Sequence, residues 1–337
     1  MSFHSLGARS SDHPSVLVFA TGGTIGMHET PKGLAPDPDF ESALEHMVAG
    51  VCDPLGIDYR VNHLSPAIDS ANADAETASR IARAVRARVR TKRPRGVVVT
   101  HGTDTLAYTG ARLAFDLAGL GTPVVLTGSQ LPHGAPNSDA QANLTLAIRA
   151  AVRAAPDAPA CIAFGGSLMP AIRATKAQAE ALEAFRAERP LGADPSGAPR
   201  SLGEGAARLL PARVISFRFV PGVTAVDLRA AVGGNPDGLV LECYGAGNAP
   251  MSRPGMAEAL REICERMPVV AVTQCATGSV DAGRYAVGGE LAETGVIDGG
   301  DMTLEAALAK LAYGLDAGFE GTPLRSFMRL NIVGERT

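Results

Sequence analysis

Apolar and polar positions come in alternating blocks along most of the chain. Short aliphatic runs are each followed by a longer amphipathic stretch. The runs at 16–20, 59–64, 96–100, 123–126 and 160–164 are short, rich in β-branched residues and bounded by turn formers, which predicts buried strands. Between them, 75–93 carries Ile81, Val85 and Val89 four apart on one face and predicts a helix. Residues 105–117 and 140–154 predict two more. A second series follows, with strands at 214–219, 238–241 and 269–273 and helices at 225–232, 256–267 and 303–315, the last of them closing the pattern. This alternation predicts an α/β protein whose parallel strands are joined by right-handed crossovers. It comprises a larger N-terminal domain, with a mainly parallel sheet flanked by helices, and a smaller C-terminal α/β domain of flavodoxin-like type. Between the two series, Pro190, Pro195, Pro199 and Pro211 fall in a stretch poor in large apolar side chains. That stretch reads as a linker at 189–211, separating a catalytic domain at 14–188 from a C-terminal domain at 212–335.

Composition narrows the class of protein. A net charge of -4 with no basic cluster argues against a nucleic-acid partner or a polybasic membrane anchor. No apolar run approaches the roughly 20 residues of a spanning helix. Residues 1–14 are polar, without the apolar core of a signal peptide. The 5 cysteines are odd in number and form no C-x-x-C pair, so neither a disulfide framework nor a zinc site is expected. A reduced, cytoplasmic protein fits these features.

Candidate chemistry concentrates where two predicted strands end. The first end reads Ala20-Thr21-Gly22-Gly23-Thr24-Ile25-Gly26 and the second Thr100-His101-Gly102-Thr103-Asp104-Thr105. Ligands of open parallel sheets bind outside the carboxyl ends of the strands, so both segments point to one crevice. The first is neither G-x-G-x-x-G nor followed by Gly-Lys-Ser/Thr, which argues against a nucleotide cradle. A threonine hydroxyl needs a nearby base to become a nucleophile. Lys176, at an expected helix start, is one candidate, although a lone lysine there is usually solvated. His101 is another, equally readable as a core residue. Asp104 either holds a cation or caps the helix that follows. Asp69-Ser70 forms a weaker polar cluster, readable as a turn. The Pro- and Gly-rich stretch 28–38 reads as a lid or as an ordinary exposed connection.

These two segments resemble the signatures of the bacterial-type L-asparaginase family. Val125 to Pro132, Tyr244-Gly245-Ala246-Gly247-Asn248-Ala249-Pro250 and Gly299-Gly300-Asp301-Met302-Thr303 are similar to its cytoplasmic, type I branch. The resemblance implies hydrolysis of asparagine to aspartate and ammonia through an acyl-enzyme, with weaker glutaminase activity. It assigns Thr24 as nucleophile, Lys176 as proton acceptor, Asp104 as the group that holds it, and Thr103 as the link to the reacting centre. Asp69, Ser70 and Asp104 would hold the α-amino and α-carboxylate groups of a small amino-acid substrate, with Gly23, Gly102 and Ser129 lining the site. It implies no metal and no cofactor. Relatives form dimers or dimers of dimers in which the second domain of one subunit reaches the other's site, and Asn248 is the candidate for that contribution.

The chain departs from the family pattern in three places. Many relatives carry a lid tyrosine; its place here falls on Leu34, and no tyrosine lies between Thr24 and Asp58. Ala71-Asn72-Ala73 replaces more polar or acidic residues after Asp69-Ser70. Glu242 stands where some allosteric relatives have arginine, so the resemblance gives no ground to assume effector control by asparagine. Two other readings compete with a free hydrolase. One is the amidase component of a tRNA-dependent amidotransferase, which usually has an added N-terminal domain and a partner. The other is a non-catalytic amino-acid sensor on the same scaffold.

Overall fold

A computed structural model describes residues 2–4, 15–195, 210–280 and 286–337. Residues 196–209 of the expected linker lie outside the described residues. The chain divides into two compact units, Met1–Ala187 and Glu188–Thr337.

The first unit runs β1 (Ser2–His4), β2 (Val16–Gly22), β3 (Met27–Thr30), β4 (Gly33–Pro36), α1 (Phe40–Cys52), β5 (Tyr59–Ile68), α2 (Thr77–Lys92), β6 (Gly96–Thr100) and α3 (Leu106–Asp116). It continues with β7 (Val124–Thr127), α4 (Ala140–Arg153), β8 (Cys161–Phe164), β9 (Ser167–Pro170), β10 (Thr175–Lys176) and β11 (Phe185–Arg186). Its main sheet has the order β1-β5-β2-β6-β7-β8-β9. The five inner strands are parallel, and the two edges, β1 and β9, are antiparallel. After β2 the chain moves outward to β5 and then returns across β2 to β6. The order therefore reverses between β2 and β6, which places the topological switch point at their carboxyl ends.

The alternation along each inner strand sorts its side chains into two cores. Leu17, Phe19, Val97, Val99 and Leu126 pack with α2 and α3 on one face. Val16, Val18, Val98 and Val125 pack with α1 and α4 on the other. This corrects the expectation of uniformly right-handed crossovers. The connections β6–α3–β7 and β7–α4–β8 step the same way across the sheet, yet their helices lie on opposite faces, so they have opposite hands. The steps through α1, α2 and α3 share one hand, the right-handed one that strand twist favours. The step through α4 is the exception. To reach its face, the chain after β7 must first cross the carboxyl end of the sheet.

Three local expectations also change. The stretch 28–38 is largely an antiparallel hairpin, β3–β4, with Glu29 opposite Leu34. Helix α1 fills a region with no predicted element; its Leu44, Val48 and Val51 are buried at helical spacing. Lys176 lies on a two-residue strand paired with β11, not at a helix start.

The second unit contains β12 (Val214–Arg218), α5 (Ala225–Ala231), β13 (Gly238–Cys243), α6 (Met256–Arg266), β14 (Val269–Thr273), α7 (Ala286–Glu293), β15 (Ile297–Asp298), α8 (Leu304–Asp316) and α9 (Gly321–Arg329). Its four strands are parallel and lie in chain order. The helix expected to close the chain is α8, and α9 follows it with Leu324, Phe327 and Met328 buried. Lys310 of α8 and Glu335 of the tail are both fully buried, with Nζ and Oε1 2.5 Å apart. Lys310 also donates to the carbonyls of Met328 and Leu330, and Glu335 accepts from the amides of Ile332 and Val333. Arg189, in the stretch expected to link the domains, is buried in this unit and donates to the carbonyls of Cys275, Ala276 and Asp301 at 2.6, 3.1 and 2.9 Å.

Among the described residues, no helix is long and apolar enough to cross a membrane.

Candidate active site

Strand β2 ends in two glycines that permit an abrupt turn. Gly22 and Gly23 have φ of 120° and 96°, a region that side chains disfavour. A Cβ on Gly22 would stand 2.3 Å from the Ile68 carbonyl oxygen, and one on Gly23 would stand 2.4 Å from the Gly102 Cα. The turn therefore lies directly against the ends of β5 and β6. Thr24 then opens one turn of 3-10 helix, Thr24–Gly26. On the facing segment, a Cβ on Gly102 would meet the Ser70 Oγ at 2.3 Å. Thus Gly23, Gly102 and Ser70 are stacked in contact at the switch point, and Thr24 and Thr103 each follow one of the two glycines.

Lys176 reaches the same place. Its Nζ donates to Thr103 Oγ1 and to Asp104 Oδ1, both at 2.9 Å. Thr103 is buried, whereas the Lys176 and Asp104 side chains are 21% and 60% exposed. The pair is therefore open to solvent and to a ligand. Of the two roles weighed for Asp104, holding the lysine is the one it has. Thr105 occupies the cap position of α3, and neither side chain caps the helix. The Thr105 hydroxyl donates to the Ser70 carbonyl at 2.8 Å, fixing Ser70 beside Gly102.

Asp69 is exposed. Its carboxylate accepts from the Ala71 amide at 3.1 Å and from Asn72 Nδ2 at 2.9 Å, so it shapes its own turn. His101 is buried and belongs to the core. Its Nδ1 lies 2.9 Å from the Gly102 carbonyl and its Nε2 3.1 Å from Thr109 Oγ1. A carbonyl can only accept, so Nδ1 carries the proton and Nε2 accepts from the threonine. Burial pushes His101 below the ordinary imidazole value and keeps it neutral. Not every hydroxyl at these strand ends is available to a ligand. Thr21 donates to the Thr100 carbonyl at 2.7 Å and Thr127 to the Ala163 carbonyl at 2.8 Å, clamping neighbouring strands.

Ser129 is buried and donates to the Leu131 carbonyl at 2.5 Å. Its loop is held by two residues that the sequence reading passed over, Asp139 and Asn143 of the α4 start. Their signal was present but bland: an aspartate just before a helix reads as a cap. Leu34 lies on β4, half exposed. Asn248 belongs to the second unit, in a tight turn closed by backbone hydrogen bonds with Tyr244. Glu242 pairs with Arg218 on the adjacent strand at 3.3 Å. Among the described residues, no group of three or more His, Cys, Asp or Glu side chains is gathered as a metal ion would need.

The architecture and the site define a class: a two-unit α/β protein with a threonine–lysine–carboxylate cluster at the switch point of its larger sheet. The model of the N-terminal domain of asparaginases matches residues 15–194, and that of the glutaminase/asparaginase C-terminal domain matches 213–328. L-asparaginase 1 of Escherichia coli K12 is 34% identical over 337 residues, spanning 96% of this chain and 98% of its own. The L-asparaginase of Thermococcus kodakarensis is 37% identical over 333 residues, spanning 96% and 99%. The solved L-asparaginase I from Vibrio cholerae is similar with a TM-score of 0.82 at 30% identity, covering 96% of this chain and 99% of its own. The chain belongs to the asparaginase family.

Proposed function

We propose that the protein hydrolyses L-asparagine to L-aspartate and ammonia, with weaker action on L-glutamine. The observation that carries this reading is the placement of Lys176 between Thr103 and Asp104, the two residues that follow the glycine packed on Gly23. In this reading Thr24 Oγ1 attacks the side-chain carboxamide carbon. Its proton passes by way of Thr103 to the lysine relay, which requires Lys176 to be neutral when it accepts. The developing oxyanion is met by backbone N–H groups of the glycine-rich strand ends, which small residues leave accessible. Ammonia leaves with a proton returned by the relay, and water then cleaves the threonyl ester to release aspartate.

The exposed Asp104 carboxylate suits the substrate ammonium group. Ser70, together with the Asp69 turn, suits its α-carboxylate, with Gly23, Gly102 and Ser129 lining the pocket. Asn248 is proposed to complete the site from the second unit within a dimer or a dimer of dimers. Sedimentation analysis of the wild type, with activity followed on dilution, tests that assembly. Leu34 in place of a tyrosine makes the β3–β4 hairpin a cover that excludes water and offers no phenolic hydroxyl.

The test is ammonia release from asparagine and from glutamine by the wild type and by Thr24→Ala. The wild type is expected to turn over asparagine faster, and Thr24→Ala to lose turnover of both. An inactive wild type, or a fully active Thr24→Ala, overturns the reading.

A further inference from the structure

The loop after β7 touches both halves of the proposed site, and one buried carboxylate sets its shape. Asp139 sits at the cap position of α4 but does not cap its own helix. Its carboxylate instead accepts from the backbone amides of Gln130, at 3.0 and 3.1 Å, and of Leu131, at 3.1 Å. Asn143 Nδ2 donates to Asp139 Oδ2 at 2.9 Å and to the Gly128 carbonyl at 3.0 Å, while its Oδ1 accepts from the Gly165 amide at 3.0 Å. Asp139 is 7% exposed and Asn143 1%, so this network is shielded from water and its bonds are correspondingly strong.

From the loop so held, two contacts reach two other segments. Gln130 Nε2 donates to the Ala179 carbonyl at 2.8 Å, in the turn between β10 and β11, the hairpin that carries Lys176. His133 donates from its backbone N, at 3.3 Å, and from Nδ1, at 3.1 Å, to the carbonyl of Ile25, the residue after Thr24. The opposite-handed crossover explains the geometry. Reaching the α4 face takes the chain across the carboxyl ends of the strands, where Thr24 lies. A lysine on a strand of two residues has little sheet to hold it. Its hairpin is closed by the amides of Ala177 and Gln178 on the Ala184 carbonyl and steadied by Gln130.

We propose that Asp139 is a positioning residue for the reaction: through Gln130 and His133 it holds the Lys176 hairpin and the Thr24 turn at one spacing. This inference rests on the roles given above to Thr24 and Lys176. It adds a requirement that those roles alone do not contain, namely a buried carboxylate that touches neither substrate nor nucleophile.

The test uses the full chain with Asp139→Asn and with Gln130→Ala, which removes only the link to Ala179. Gln141→Ala, an exposed site on α4, is the control. Steady-state ammonia release and hydrogen exchange of the amides at 177–184 are measured for each. In both variants kcat is expected to fall about tenfold or more with KM changed by less than about threefold, since small misplacements of reacting groups cost rate rather than affinity. Exchange at 177–184 is expected to quicken while that of α2 stays unchanged, and Gln141→Ala is expected to match the wild type in both readouts. If the wild type is active and Gln130→Ala keeps its kcat and its exchange pattern, the proposal falls and the hydrolase reading stands. If the wild type releases no ammonia, the hydrolase reading falls, and exchange at 177–184 in Asp139→Asn still decides whether Asp139 holds the hairpin.

Discussion

Lys176–Asp104 and Lys310–Glu335 are both lysine–carboxylate pairs in direct contact, and they differ in surroundings. Lys176 and Asp104 meet at 2.9 Å with 21% and 60% of their side chains exposed, on a two-residue strand and a strand-end turn. Lys310 and Glu335 meet at 2.5 Å with neither exposed, between α8 and the chain's tail. A solvated pair contributes little to stability, because water screens its attraction. A buried pair costs several kcal/mol to desolvate and persists because each partner would be worse off alone. Lys310 shows that cost: burial pulls it down from 10.5 to about 8, although the Glu335 carboxylate opposes the shift. The exposed pair is open to a ligand, whereas the buried one ties the tail to α8.

The comparison breaks most sharply at Lys176. Lys176→Met is expected to lower kcat by about 10²–10⁴-fold, the range of a lost general base. Its unfolding free energy should move by less than about 1 kcal/mol. A matched set of activity and urea-denaturation curves reads both, and a large stability loss with intact turnover would invert the assignment. The opposite pattern is expected for Lys310→Met, which leaves a buried Glu335 charge uncompensated. Loss of about 3–5 kcal/mol of stability follows, and Lys310→Met/Glu335→Leu should recover most of it.

The pH dependence of stability sharpens the contrast. An unfolded lysine keeps its proton to about 10.5, whereas folded Lys310 gives it up near about 8. Between those values the unfolded chain binds more protons, so this group's contribution to stability rises with pH. From pH ~7.5 to ~9.5 the wild type should gain about 2 kcal/mol relative to Lys310→Met/Glu335→Leu. Parallel curves for the two proteins would show that Lys310 stays charged. The smallest effect is expected at Leu34. Leu34→Tyr would place a hydroxyl on the β3–β4 hairpin and raise kcat by about 2–10-fold, because one added polar contact to the reacting group is worth about 1 kcal/mol. An unchanged kcat would mean that the hairpin acts by covering alone.

Much of the larger domain was legible in the chain because its strands are uninterrupted apolar runs and its helices repeat at four. Helix α1 was missed: Phe40 to Cys52 mixes Glu41, His46 and Gly50 among its buried positions, which blurs the period. The prolines and glycines of 28–38 read as a lid or as an exposed connection, yet Thr30 to Gly33 closes a hairpin turn in which the Thr30 hydroxyl donates to the Gly33 carbonyl. Lys176 reads as the start of a helix in the sequence, since the two residues of its strand carry no period. The ambiguity at Asp104 was real: an aspartate before a helix is usually a cap, and only the arrival of Lys176 from 72 positions away separates the two roles.

Local order along the chain determined the strand ends, the glycines that let them touch and the hydroxyls beside them. These features depend on side-chain size, backbone freedom and hydrophobic spacing within a few residues. Tertiary structure decided which hydroxyls are engaged in clamping strands, which lysine faces solvent, and the hand of the crossover through α4. Those outcomes depend on contacts between segments tens of residues apart and on the water excluded from them, and no local pattern records either.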